Sequence, residues 1–384
     1  ALPLEVHARA LDPEVPLAVS IQRRGGHILR CNQAAAARGV RVGQGIGAAR
    51  ALCADLVVRP HQASAERDLL ERLAAWCIRF TPLVSLAPPR SLLLEVAASL
   101  RLFGGAEALI ARVDAGLVAL GHGTRLAMAP TPLGALVLAI QGQTPTSGAA
   151  PVMEDLCALR AGLSRLPISA LGLGPRELDD LTRMGLVRVA DLLRLPRRGL
   201  RERLGPRRMD WLGRLLGESP DPRPAFVPPA VHRARLELPG EIELAASLVF
   251  PCRRLLLELE GVLVGREAGT RRLDWRLSHP DRPDTGFQLG SARPRWRAQD
   301  WLMLLHGILE RLELPAPVRE VALCVEDMIT LDPRAADLSP GLFPDLPGAD
   351  AAPDPTLLDR LRARLGGAAV RGLALAADHR PERA

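Results

Sequence analysis

Apolar residues recur along this chain at two spacings, and each spacing predicts a different element. Between residues 63 and 80, Leu69, Leu70, Leu73, Trp76 and Cys77 recur at helical spacing, so they form one face of a helix laid on a sheet. In Arg272-Leu273-Asp274-Trp275-Arg276-Leu277 the period is two, which puts Leu273, Trp275 and Leu277 on the core face of a strand and the charges on the other. Leu92-Leu93-Leu94-Glu95-Val96 reads as a buried strand, with Glu95 as a satisfied structural carboxylate. Further helices are expected at residues 3–9, 106–120, 245–261 and 298–312. Strands are expected at 16–21, 124–129, 233–238, 270–278, 287–291 and 318–325. Leu357, Leu358, Leu361 and Leu365 share a stripe on a last helix, which either packs back on the body or captures a partner helix.

Glycine and proline divide these elements. Gly39 ends an alanine-rich helix, and residues 25–47 are glycine-rich around it. Residues 166–224 change to short helices and single-glycine turns with 12 Arg against 8 Asp and Glu. Five prolines between Pro220 and Pro229 make a stiff linker, and residues 337–353 are rich in Pro, Gly and Asp. The divisions expected are 1–61, 62–165, 166–224, 231–335 and 336–384, an α+β multidomain chain whose 384 residues exceed one core of ordinary size.

Composition narrows the chemistry. All 50 basic residues are arginine, since no lysine occurs, and this excludes Schiff-base lysines and a Walker lysine. A net charge of +7 favours polyanion partners, although a GC-rich genome also enriches Arg, Ala and Gly. Cys31, Cys53, Cys77, Cys157, Cys252 and Cys324 form no Cys-x-x-Cys pair and read as reduced core thiols of a cytosolic protein. Neither a transmembrane run nor a signal peptide is visible.

Four stretches carry a family resemblance. Cys31 to Val40 followed by Gly43 and Ile46, the segment TPLVSLAPPRSLLLEVAASLRLFGG from Thr81 to Gly105, APTPLGALVLA from Ala129, and Leu171-Gly172-Leu173-Gly174-Pro175 with Met184-Gly185-Leu186-Val187 resemble, in order, the fingers, palm and thumb motifs of Y-family DNA polymerases. The resemblance implies a right hand of fingers (1–61, with the start of the palm), palm (62–165) and thumb (166–224, with a helix-hairpin-helix-like unit). A little finger (231–335) and a C-terminal tail (336–384) follow. It implies equally that the chemistry is degenerate. Gln33 and Ala36 stand where the family's Tyr and Arg hold a triphosphate, and Arg90 and Ser91 where it has an adjacent Asp-Glu pair. Pro132, Leu136 and Gln143 stand where it has lysines. The remaining metal-binding Asp would lie on a first palm strand upstream of Ala1, the chain starting inside the helix that follows.

What this implies is a protein without metal or cofactor, similar to a non-catalytic branch of the family that works in a bacterial damage-inducible mutasome. Such an adaptor holds damaged primer-template DNA and links an error-prone C-family polymerase, a RecA-like partner and the sliding clamp in the nucleoid-associated cytoplasm. The DNA contacts expected are the Gly172 and Gly174 turn, the cluster Arg197, Arg198, Arg201, Arg203, Arg207 and Arg208, and Arg272, Arg276, Arg293, Arg295 and Arg297, the last three lining one edge at period two. A solvated basic face is the other reading of the cluster. Leu342 and Phe343 faintly resemble a clamp-binding peptide that lacks its opening Gln. An active polymerase using upstream carboxylates and a DNA-independent interaction scaffold stay open as alternatives.

Overall fold

The computed structural model describes residues 2–8, 14–21, 26–141, 150–331, 359 and 361. The chain begins with α1 (Leu2–Ala8), then β1 (Leu17–Ile21) and β2 (His27–Cys31), α2 (Gln33–Ala37), α3 (Ile46–Leu52), β3 (Val57–Pro60) and α4 (Ala63–Cys77). β1 is central, antiparallel to β2 and parallel to β3. Asn32 fixes the join between sheet and helix. Its Oδ1 accepts from the Ala35 amide at 2.9 Å, capping α2, and from the Leu17 amide at 3.0 Å, while Nδ2 donates to the Val15 carbonyl at 2.7 Å. Gly39 at φ +88° ends the helix as its position predicts, since a left-handed residue without Cβ closes the last turn.

The middle of the chain, Phe80 to Phe226, is one of two compact units. It opens on the hairpin β4 (Val84–Ala87) and β5 (Ser91–Leu94), followed by α5 (Leu100–Phe103), α6 (Ala106–Ala119), α7 (Pro132–Gln141) and α8 (Leu156–Ser164). Then come α9 (Pro175–Arg183), α10 (Val189–Leu193) and α11 (Arg197–Leu215). Among the described residues, 124–129, expected as a strand, make one bridge, Met128 with Val152, and no neighbouring strand extends the pairing. The Thr131 hydroxyl donates to the Leu215 carbonyl at 2.9 Å and accepts from Gly134 N at 3.0 Å, tying the start of α7 to the end of α11.

The rest returns to the first unit, which joins Ala1–Arg79 to Val227–Ala384. Its elements are β6 (His232–Ile242), α12 (Val249–Gly265), β7 (Ala268–Ser278), β8 (Thr285–Arg295), α13 (Ala298–Leu309), β9 (Val318–Val325) and β10 (Ile329–Thr330). The sheet order is β10-β7-β9-β6, with β8 also on β7. Leu273, Trp275 and Leu277 are buried as their alternation predicts, packed with Leu255, Leu259 and Trp301 from α12 and α13.

Residues 62–79, expected in one domain with 80–165, pack instead with this C-terminal domain. Half-buried Arg72 of α4 and buried Glu258 of α12 pair at 3.1 Å. One turn further, a Cβ on Gly261 would lie 2.0 Å from Trp76 Cδ1, and one on Gly265 would lie 2.8 Å from the Arg79 amide nitrogen. Only glycine lets the two backbones approach so closely. Among the cysteines, Cys53, Cys77 and Cys252 are buried, and burial pushes the Cys77 thiol up to about 12. Cys157 is exposed, against the expectation that all six are core residues, because it lies on the outer side of α8.

Candidate nucleic-acid interface

The palm-like hairpin pairs Val84 with Leu94 and Ala87 with Ser91, which leaves residues 88–90 as its turn. Arg90 is therefore exposed at the tip and Ser91 half-buried beside it. β5 is half-buried rather than fully buried, because among the described residues only β4 pairs with it. Glu95 departs further from expectation. It is exposed, and its Oε1 accepts from the Ala97 amide at 3.0 Å, capping the short helical turn at Ala97–Ser99. These donors do not fit a divalent-metal site: a guanidinium repels the ion, and the one carboxylate holds a backbone amide. Among the described residues no group of three His, Cys, Asp or Glu side chains could hold a metal.

In the other unit, Gln33 is exposed on the first turn of α2 and Ala36 half-buried on its second. Neither carries a charge to offer a phosphate. Gln143, Leu342 and Phe343 lie outside the described residues.

The thumb-like glycine turn forms as expected, with Gly172 at φ +61° and Gly174 capping α9. Its donors, however, already have an anion. Glu177 Oε2 accepts from Gly174 N at 2.8 Å and from Arg208 Nη2 at 3.1 Å. The Gly174 amide, and after it Arg208, hold the Glu177 carboxyl below its ordinary range. The Arg cluster does not share one helical face, because α11 breaks at Gly205 (φ +74°) before Pro206. On the first segment Arg197 pairs with Glu218, and Arg198 with Glu202 at 3.4 Å. Arg203 points at Met184 Sδ, while Arg201 and Arg207 are exposed.

The C-terminal sheet carries its helices on one face and leaves the other accessible. Register builds this second face. Arg235 of β6 lies opposite Ala322 of β9, Ala322 opposite Arg276 of β7, and Arg276 opposite Gly286 of β8. The next row runs Arg233, Cys324, Asp274 and Gln288. Small side chains thus fill a shallow floor between arginines two strands, roughly 10 Å, apart. Arg276 and Arg233 are about 70% exposed and reach Asp284 at 3.9 Å and Glu326 at 3.5 Å, loose surface pairs that a polyanion can displace. Arg272 pairs more closely with Asp274, at 3.1 Å.

Sequence reading found Arg272 and Arg276 and missed Arg233 and Arg235. The alternation His232-Arg233-Ala234-Arg235-Leu236 already turned both outward, but only the β6–β9–β7 register brings them beside Arg276. The expected edge of Arg293, Arg295 and Arg297 does not form. β8 ends at Arg295, and Arg297 instead precedes α13 with its guanidinium 5.8 Å from the Trp296 ring. Arg293 is exposed, whereas Arg295 is largely covered and ion-paired.

Comparison with known proteins bears on the fold. Residues 4–139 match the model of the impB/mucB/samB family. The chain is 36% identical over 167 residues to the ImuB proteins of two strains of Caulobacter vibrioides, a match covering 44% of this chain. That match spans only 35% of the length of these relatives. Among solved structures, the insertion ternary complex of Dbh DNA polymerase superposes with a TM-score of 0.50 at 15% identity, covering 86% of this chain and 97% of the other. At that identity the likeness concerns fold alone, and the fold is the Y-family polymerase-like one that the motifs imply.

Proposed function

We propose that this chain, ImuB-like in sequence and Y-family polymerase-like in fold, is a non-catalytic adaptor that binds primer-template DNA and supports error-prone translesion synthesis in a damage-inducible mutasome. The observation that carries the reading is the β4–β5 hairpin: an exposed Arg90 stands where the resemblance has acids, and Glu95 caps a backbone turn. Two-metal nucleotidyl transfer needs bridging carboxylates at that place, so the hairpin contributes scaffold and no chemistry. DNA binding is supported by the accessible sheet face, where Arg233, Arg235 and Arg276 border a floor of small side chains. The solved neighbour being a polymerase ternary complex supports it as well.

The domain roles follow the family order, fingers to little finger, with α4 joined to the C-terminal domain. An error-prone C-family polymerase, an ImuA-type RecA-like protein and the sliding clamp are the partners this reading implies, in the bacterial cytoplasm.

The test is twofold. Pure protein with magnesium and deoxynucleotides should extend no primer; extension lost on mutating an upstream Asp would establish an active polymerase instead. Salt-titrated binding of labelled primer-template should give a steep negative slope of log K against log salt, and Arg235→Ala with Arg276→Ala should reduce that slope by about two. A slope near zero would favour the DNA-independent scaffold.

A further inference from the structure

β8 contains an irregularity that ordinary sheet pairing does not explain. Arg272 of β7 faces Gly290 and Thr270 faces Arg295, so residues 291–294 bulge out against one residue of the partner strand. A bulge leaves backbone donors without a ladder partner. Here one such amide converges with two side chains of the bulge. The Ala292 amide donates to Asp359 Oδ1 at 2.8 Å, the Ser291 hydroxyl to Oδ2 at 2.8 Å, and Arg295 Nη2 to Oδ2 at 2.7 Å. Arg295 Nε also donates to Ser291 Oγ at 2.7 Å, which turns the hydroxyl proton toward the carboxylate. Asp359 is fully buried, and the Arg295 side chain is 14% exposed.

An amide, a hydroxyl and a guanidinium aimed at two oxygens of one anion form an anion receptor, bordered by the half-buried Asp300 carboxylate 3.9 Å from Arg295 Nη1. A phosphodiester presents two non-bridging oxygens of the same kind. Exposed Arg293 on the bulge and exposed Arg297 just beyond the strand supply further positive charge, as a polyanion rather than an isolated ion would use.

We propose that the β8 bulge is a phosphodiester-binding pocket for DNA, and that Asp359 is its internal occupant, a carboxylate from the C-terminal segment holding the place of a backbone phosphate. The proposal rests on the DNA-binding reading above. DNA reaches the pocket only in molecules where Asp359 has left it, so apparent affinity is reduced by the fraction open.

Removing the occupant tests this. Asp359→Ala should tighten primer-template binding by about threefold to tenfold and steepen the salt slope by about one, the value of one added phosphate contact. Ser291→Ala in that background should abolish the gain without changing net charge. Asp281→Ala, which removes an exposed acid on the same domain, should give less than half the effect. If Asp359→Ala changes neither affinity nor slope while Arg235→Ala and Arg276→Ala still weaken binding, the pocket assignment is wrong and the DNA reading stands. If no variant binds DNA, both fail. A gain matched by Asp281→Ala reduces the effect to net charge. Inorganic phosphate, titrated into Asp359→Ala and followed by isothermal calorimetry, separates the ligand sources: tight phosphate binding without a DNA gain overturns the phosphodiester assignment.

Discussion

Gly261→Ala is the sharpest test of how the first unit is held together. The new Cβ would lie 2.0 Å from Trp76 Cδ1, 2.3 Å from Nε1 and 2.8 Å from Cγ. Trp76 is 2% exposed with the Arg79 guanidinium 5.4 Å from its ring, so the indole has little room to yield. In an unobstructed helix the change would stabilise by up to about 1 kcal/mol. Overpacking costs about 1–3 kcal/mol, and a rigid ring at this distance belongs at the upper end. The net expectation is a loss of about 2 kcal/mol. Gly199→Ala in α11, where a Cβ meets nothing within 4 Å, is the control and should be neutral or slightly stabilising. Urea unfolding followed by tryptophan fluorescence suits the question, since Trp76, Trp275, Trp296 and Trp301 lie in this unit and Trp211 in the other. Trp76→Leu should recover part of the loss in the double variant, with a coupling of about 0.5–3 kcal/mol. A Gly261→Ala protein as stable as the parent would refute the close approach of α4 and α12.

Two further outcomes follow from local geometry. Asn32→Ala removes the acceptor for two amides and the donor to one carbonyl, so it should cost about 2–3 kcal/mol in urea unfolding, with Asn32→Asp losing less because it keeps both accepted bonds. Glu177 has a depressed folded pKa, so its contribution is present above the ordinary carboxyl value of 4.5 and is lost as pH falls below it. Acid unfolding of the thumb-like region should therefore flatten in Glu177→Gln, by under about 1 kcal/mol because the group is 36% exposed; an unchanged acid limb would contradict the assignment.

What the sequence made legible was local. The alternation of β7, the apolar faces of α4, α12 and α13, and the Gly39 stop each depend on neighbours within one or two turns, and all are found. What it hid depends on distant pairing. Arg235 joins Arg276 only through β9, and Arg295 belongs to Asp359, 64 residues on, rather than to solvent. The apolar neighbours of Glu95 suggest burial, yet a strand with one partner among the described residues covers little. The Gly205-Pro206 dipeptide announces the break in α11, which parts arginines that lie close in sequence. The two glycines of α12 look like ordinary helix weaknesses until Trp76 is placed against them.

The pairing of α4 with α12 also has a consequence in time. Trp76 leaves the ribosome long before Gly261, and at about 5–20 residues per second the wait is roughly 10–40 s. Throughout that interval α4 exists without the helix that covers its end, while the whole of the middle unit is being made. A nascent chain stalled before α12 would present Trp76 and Arg72 to whatever is nearby, so the first unit can close only after the ribosome has passed Gly265.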